Sequence, residues 1–206
     1  MSAKTLWNDN LATARACLEH PFVQGIATGA LRQETFKLYV AQDAFFLEAF
    51  ARAYAMGIAK APDRDGLNIF RDLLNGVFEE LNLHQEYAAR WGITLDTAPI
   101  PSTRAYTDFL LATAALGPIN QLAAAMTPCM RLYAWLGQSL VPDVNSDSPY
   151  REWVDTYAGN EIDSLAGELE SLLDRYGSDD RGVADCYRTA MELELGFFEG
   201  AYTATP

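Results

Sequence analysis

The sequence predicts an all-α fold. Three observations carry this. Apolar residues recur at three- and four-residue spacing along almost the whole chain, the alternating runs of a strand are nearly absent, and half of the 206 residues are apolar, enough for a sizeable core. Leu6, Leu11, Ala14 and Leu18 form a first stripe, ending near His20-Pro21 because proline disfavours a helical residue before it. Pro21 to Gly29 reads as a short helix stopped by glycine. One long pattern runs from Gln33 to Lys60 through Phe36, Tyr39, Val40, Phe46, Leu47, Phe50 and Tyr54. Pro62-Asp63 restarts the chain, and a second long pattern continues to Trp91-Gly92. Pro99 and Pro101 mark the clearest loop, after which Ser102 can cap a helix through Leu116. Gly117-Pro118 opens the helix that holds Cys129. A short helix spans Pro149 to Tyr157, and a clean stripe from Ile162 to Tyr176 stops at Gly177. Asp179 or Asp180 starts the last helix, through Val183, Tyr187, Met191, Leu195 and Phe198. With no linker, repeat or low-complexity segment, residues 1–206 read as one domain.

Fifteen basic residues against 28 acidic ones give a net charge of −13. Nucleic acid needs a concentrated basic face, and an anionic membrane surface needs the same, so neither is an expected partner. No signal-peptide pattern opens the chain and no apolar run approaches the ~18 residues of a membrane span. Cys17, Cys129 and Cys186 are few, scattered and odd in number, which fits reduced thiols and a cytoplasmic location.

Polar residues on apolar stripes are the informative exceptions. Asp43 has Tyr39, Val40, Phe46 and Leu47 three and four positions away, so its carboxyl is either a hydrogen-bonded core aspartate or part of a site. Glu194 has Ala190, Met191, Phe197 and Phe198 as neighbours, and is either a boundary residue or an acid/base with a raised pKa. Cys129 sits among Ala125, Met126, Leu132 and Tyr133, where a small buried thiol is the common reading. Pro128, however, belongs at a helix start or a kink; a start there would aim free amides and a helix dipole at Cys129 and favour a thiolate. Tyr106, Tyr133 and Tyr157 also fall on apolar faces, and abundant aromatics suit a pocket for a flat ring. His20 and His84 lie near a helix end or a polar stretch and form no paired ligand pattern, so no zinc or di-iron site is expected.

Several segments then occur in one order. His20 to Ile26, Y-V-A-Q-D at Tyr39–Asp43, P-C-M-R-L-Y at Pro128–Tyr133, W-V-D-T-Y at Trp153–Tyr157, and Glu194 before Phe197-Phe198 resemble the motifs of the TenA family, thiaminase II, across nearly the whole chain. The resemblance implies a haem-oxygenase-like helical bundle, commonly a homotetramer, that uses no metal or organic cofactor. It implies a thiamin-salvage hydrolase that converts 4-amino-5-aminomethyl-2-methylpyrimidine to the 5-hydroxymethyl compound and ammonia, and that often cleaves thiamin too. By position Cys129 would be the nucleophile. Asp43 would hold the aminopyrimidine edge, Glu194 would transfer protons, and Tyr106, Tyr133 and Tyr157 would line the site. Phe46 stands where the family usually has a tyrosine, so one hydroxyl is missing from that pattern. Two other functions compete: a non-catalytic aminopyrimidine-binding or regulatory protein, and an oxidase on the same fold. The oxidase would need a histidine-rich pocket or a proximal haem histidine, and this chain has only two histidines.

Overall fold

The computed structural model describes residues 1–177 and 181–204, and these form ten helices and no strand. The first stripe proves to be two helices, α1 (Ala3–Asp9) and α2 (Leu11–Glu19), broken at Asn10. The Asn10 side chain donates to the Leu6 carbonyl at 2.8 Å, the local side-chain bond through which asparagine competes with a continuing helix. His20 caps α3 (Pro21–Thr28): its Nδ1 accepts the Phe22 N–H at 3.1 Å, Pro21 fills the first helical position, and Gly29 ends the helix at φ 77°. His20 therefore has a capping role, and its Nε2 meets Glu199 at 2.9 Å.

Helices α4 (Gln33–Lys60) and α5 (Arg64–Trp91) match the two long apolar patterns. Asp63 starts α5 by accepting the Gly66 N–H at 2.8 Å. Helix α6 (Pro101–Leu116) corrects the expected Ser102 cap. Proline takes the first helical position, so Ser102 falls inside the first turn and its buried hydroxyl has no partner. Helix α7 (Ile119–Leu140) is followed by α8 (Arg151–Tyr157), α9 (Asn160–Tyr176) and α10 (Arg181–Thr203). The aspartates expected to start α10 lie outside the described residues.

Helix α7 is central: it packs on α10 and α9, and also on α8, α6 and α4. Every residue from Leu122 to Pro128 is buried, and the one polar side chain among them, Thr127, donates to the Ala123 carbonyl at 2.7 Å. Helix α4 lies along α5 and α6. The close approach of α7 to α8 depends on Gly137, because a Cβ there would collide with the backbone of Tyr157 and Ala158. Gln42 is buried beneath the loop before α6. Its amide donates to the Ala98 carbonyl at 3.2 Å and accepts the Ile100 N–H at 2.8 Å, which satisfies a loop that has few backbone bonds of its own. No described helix is long and apolar enough to cross a membrane.

Candidate active site

Helices α4, α5 and α7, with the α8–α9 turn, enclose a cavity of about 450 Å³. On α4, Asp43, Leu47, Phe50 and Tyr54 recur at helical spacing and share the face that lines it, with Phe46 beside them. Glu80 comes from α5, Cys129 and Tyr133 from α7, and Tyr157 from the end of α8. Five of the seven site residues expected from sequence thus meet on one wall. The other two, Tyr106 and Glu194, do not line the cavity; they lie behind Cys129 and Phe46, with the Tyr106 ring 4.7 Å from that of Phe46.

At the polar end, Asp43 is 5 % exposed and its Oδ2 lies 2.8 Å from His84 Nε2. His84 Nδ1 faces the Glu80 carbonyl at 2.9 Å. A carbonyl only accepts, so Nδ1 carries a hydrogen, and one further proton is shared between Nε2 and Asp43. Burial acts to lower the His84 pKa, but the hydrogen bond and charge of Asp43, with Glu80, outweigh it and raise the group to about 9. His84 therefore carries its imidazolium charge near neutral pH, and its Nε2 fixes the orientation of Asp43. The imidazolium stabilises the fold fully below the unfolded histidine pKa of about 6.5, and this stability is lost as pH rises through about 9. Thermal melts should therefore show stability falling between about pH 6.5 and 9, by up to about 3 kcal/mol from this group. His84→Gln should flatten that part of the profile; an unchanged slope would place its origin elsewhere.

Cys129 sits deep in the protein but faces the cavity, so its side chain stays partly accessible. Pro128 is not a helix start: it lies well inside α7, so no free amides or dipole end point at the thiol. Burial, and then the charges of Glu194, Asp43 and Glu80, push the thiol well above its ordinary range. This overturns the expectation of a helix-stabilised thiolate; Cys129 rests as a neutral thiol. Glu194 lies close enough for its charge to act on the thiol, and its Oε1 accepts from the Tyr106 hydroxyl at 2.7 Å. Burial raises Glu194 to about 7, against the lowering effect of its neighbours Tyr106 and Cys129. A carboxyl with that proton affinity beside a thiol suits proton exchange near neutrality.

The tyrosines are tied together. Trp153 Nε1 donates to the Tyr39 hydroxyl at 3.3 Å, and Tyr39 donates to the Tyr133 hydroxyl at 3.2 Å. The Tyr133 and Tyr157 ring centres are 4.7 Å apart, and the Tyr157 hydroxyl donates to Glu80 Oε1 at 2.7 Å. Three motifs distant in sequence therefore meet at one aromatic wall. His84 and Glu80 were missed from the sequence. The neighbour test that found Asp43 is weaker for both: His84 has Leu81, Tyr87 and Ala88 at helical spacing and Glu80 has Gly76, Val77 and Leu83, but the fourth neighbour of each is the other.

Residues 7–204 match the TENA/THI-4/PQQC family. The aminopyrimidine aminohydrolase of Halalkalibacterium halodurans is 33 % identical over 195 residues, covering 89 % of this chain and 87 % of that protein. The mitochondrial bifunctional TH2 protein of Arabidopsis thaliana is 35 % identical over 90 % of this chain, which spans about a third of that protein's length (35 %). A TenA homologue of Pyrococcus furiosus superposes with a TM-score of 0.92 at 23 % identity, covering 98 % of this chain and 100 % of the other. A domain from Shewanella denitrificans described as having a haem-oxygenase-like fold superposes at 0.79 with 12 % identity, covering 99 % and 93 %. These two likenesses define the fold as haem-oxygenase-like.

Proposed function

Because the chain belongs to the TENA/THI-4/PQQC family, we propose that it is a thiamin-salvage hydrolase that converts an aminopyrimidine bearing a 5-aminomethyl group to the 5-hydroxymethyl compound and ammonia, with Cys129 as nucleophile. The observation that carries this reading is the Cys129 thiol on the cavity wall beside a buried carboxyl, Glu194, poised at about 7. Asp43, anchored on His84, offers its carboxyl to the amino and ring-nitrogen edge of the pyrimidine, and the aromatic wall takes the ring faces.

The chemistry proceeds from these contacts. Glu194 accepts the Cys129 proton, and sulfur bonds to the ring carbon adjacent to the one bearing the aminomethyl group. The ring electrons then expel the amine and leave an exocyclic methylene. Water adds to that methylene carbon, the electrons return, and the sulfur–carbon bond breaks, with Glu194 returning the proton to sulfur. Along the way a proton must reach the departing nitrogen, and water must lose one.

Ammonia release from 4-amino-5-aminomethyl-2-methylpyrimidine, and thiazole release from thiamin, test the proposal. Failure of the purified chain to turn over either compound would leave a binding role on the same fold as the better reading. Phe46 packs on Phe50, Tyr106 and Phe197, and offers no hydroxyl near the thiol–carboxyl pair. Phe46→Tyr is expected to raise the rate of thiamin cleavage. An unchanged or lower rate would mean that a hydroxyl at this position does not limit the reaction.

A further inference from the structure

The reaction proposed above needs a proton for the departing amine, and Glu194 is badly placed to give it. Glu194 is 1 % exposed, does not line the cavity, and already serves Tyr106 and Cys129.

Four carboxyl residues line the cavity: Asp43, which is tied to His84, Glu79 and Glu161, which are exposed, and Glu80, which is half-buried. Glu80 comes from α5, with Cys129 and Tyr157 also on the wall. Its Oε1 accepts from the Tyr157 hydroxyl at 2.7 Å, and its backbone carbonyl holds His84, so both ends of the residue are fixed. Burial first, and then the neighbouring Asp43 charge, push its carboxyl upward, while His84 and Tyr157 act in the other direction. Three carboxyl groups around one thiol thus differ in place: Asp43 is paired with His84, Glu194 with the thiol, and Glu80 faces the free space.

We propose that Glu80 is a second catalytic acid/base, which protonates the departing amine and then takes a proton from the attacking water. The proposal rests on the hydrolase reading and divides its proton transfers between two carboxyls. Glu194 moves the sulfur proton out and back. The protonated Glu80 carboxyl gives its proton to the amine nitrogen as the carbon–nitrogen bond breaks, and ammonia leaves. The resulting carboxylate accepts a proton as water oxygen bonds to the methylene carbon. Both groups end as they began, so substrate and water give product and ammonia with no further reactant.

The leaving group makes the proposal testable. An alkylamine bound as its free base needs a proton to leave. A quaternary nitrogen, as in thiamin or a 5-trimethylammoniomethyl pyrimidine, departs as a neutral molecule without one. Glu80→Gln keeps the shape and can still accept from Tyr157. It is expected to lower the single-turnover rate of leaving-group release by on the order of 10²-fold for the aminomethyl substrate, and at least about tenfold less for a quaternary substrate, because that step precedes the water addition common to both. Glu194→Gln, which disables the thiol, should depress both alike. Equal losses in leaving-group release on the two substrate types in Glu80→Gln, or no loss on either, would overturn the assignment while leaving the hydrolase reading intact. The trimethylammonium compound serves as the quaternary substrate if thiamin is not turned over. Turnover of no substrate by the intact chain would remove the hydrolase reading itself, and the Glu80 role with it.

Discussion

Cys129→Ala is expected to lower kcat/KM for the aminomethylpyrimidine by on the order of 10³-fold or more, since no other cysteine reaches the cavity and no covalent route survives without sulfur. Cys129→Ser should fare little better. An alcohol is a much weaker acid than a thiol, and a carboxyl poised at about 7 cannot draw its proton as easily. Stability should change little, by about 1 kcal/mol, because the side chain is small and faces a cavity rather than filling a packed core. Melting curves taken beside the kinetics separate lost chemistry from lost fold. Turnover surviving in Cys129→Ala would keep a hydrolase and remove the nucleophile assignment.

Glu194→Gln is expected to lower kcat by about 10² to 10⁴-fold, the usual span for losing a positioned acid/base. Unlike the cysteine change, it should raise stability at alkaline pH. The unfolded chain releases this proton near 4.5 and the folded protein holds it to about 7, so the folded state binds more protons across that window. Stability therefore falls as pH rises from about 4.5 to 7, and the cost above pH 7 is at most about 3 kcal/mol. The glutamine variant has no charge to bury at this position, so its melting temperature should fall less over that interval and exceed that of the parent at pH 8. Equal pH slopes in the two proteins would show that Glu194 does not carry this charge penalty. Reduced activity with increased stability is the expected mark of a carboxyl kept in an apolar site for its chemistry.

Helix α4 was legible because its apolar pattern is long and its ends are marked, and Asp43 stood out against that pattern. The break at Asn10 was not legible, because a single side-chain hydrogen bond decides it and the apolar stripe runs on across the gap. Pro128 shows the same limit in the site. Proline marks a special position in any helix, but whether that position is a start or an interior is set by what packs around it. Here α9 and α10 hold α7 continuous through it.

The sequence by itself determined the all-α class, the course of the long helices, and Asp43, Glu194 and Cys129 as groups out of place on apolar stripes, because helical spacing alone decides which side chains share a face. Only the tertiary structure decided what those groups meet. It set His84 on Asp43, Glu194 behind the thiol, and Glu80 on the cavity wall. Burial and mutual charge then raise Cys129 into a neutral thiol and Glu194 to about 7, and neither effect exists until helices distant in the chain exclude water around them.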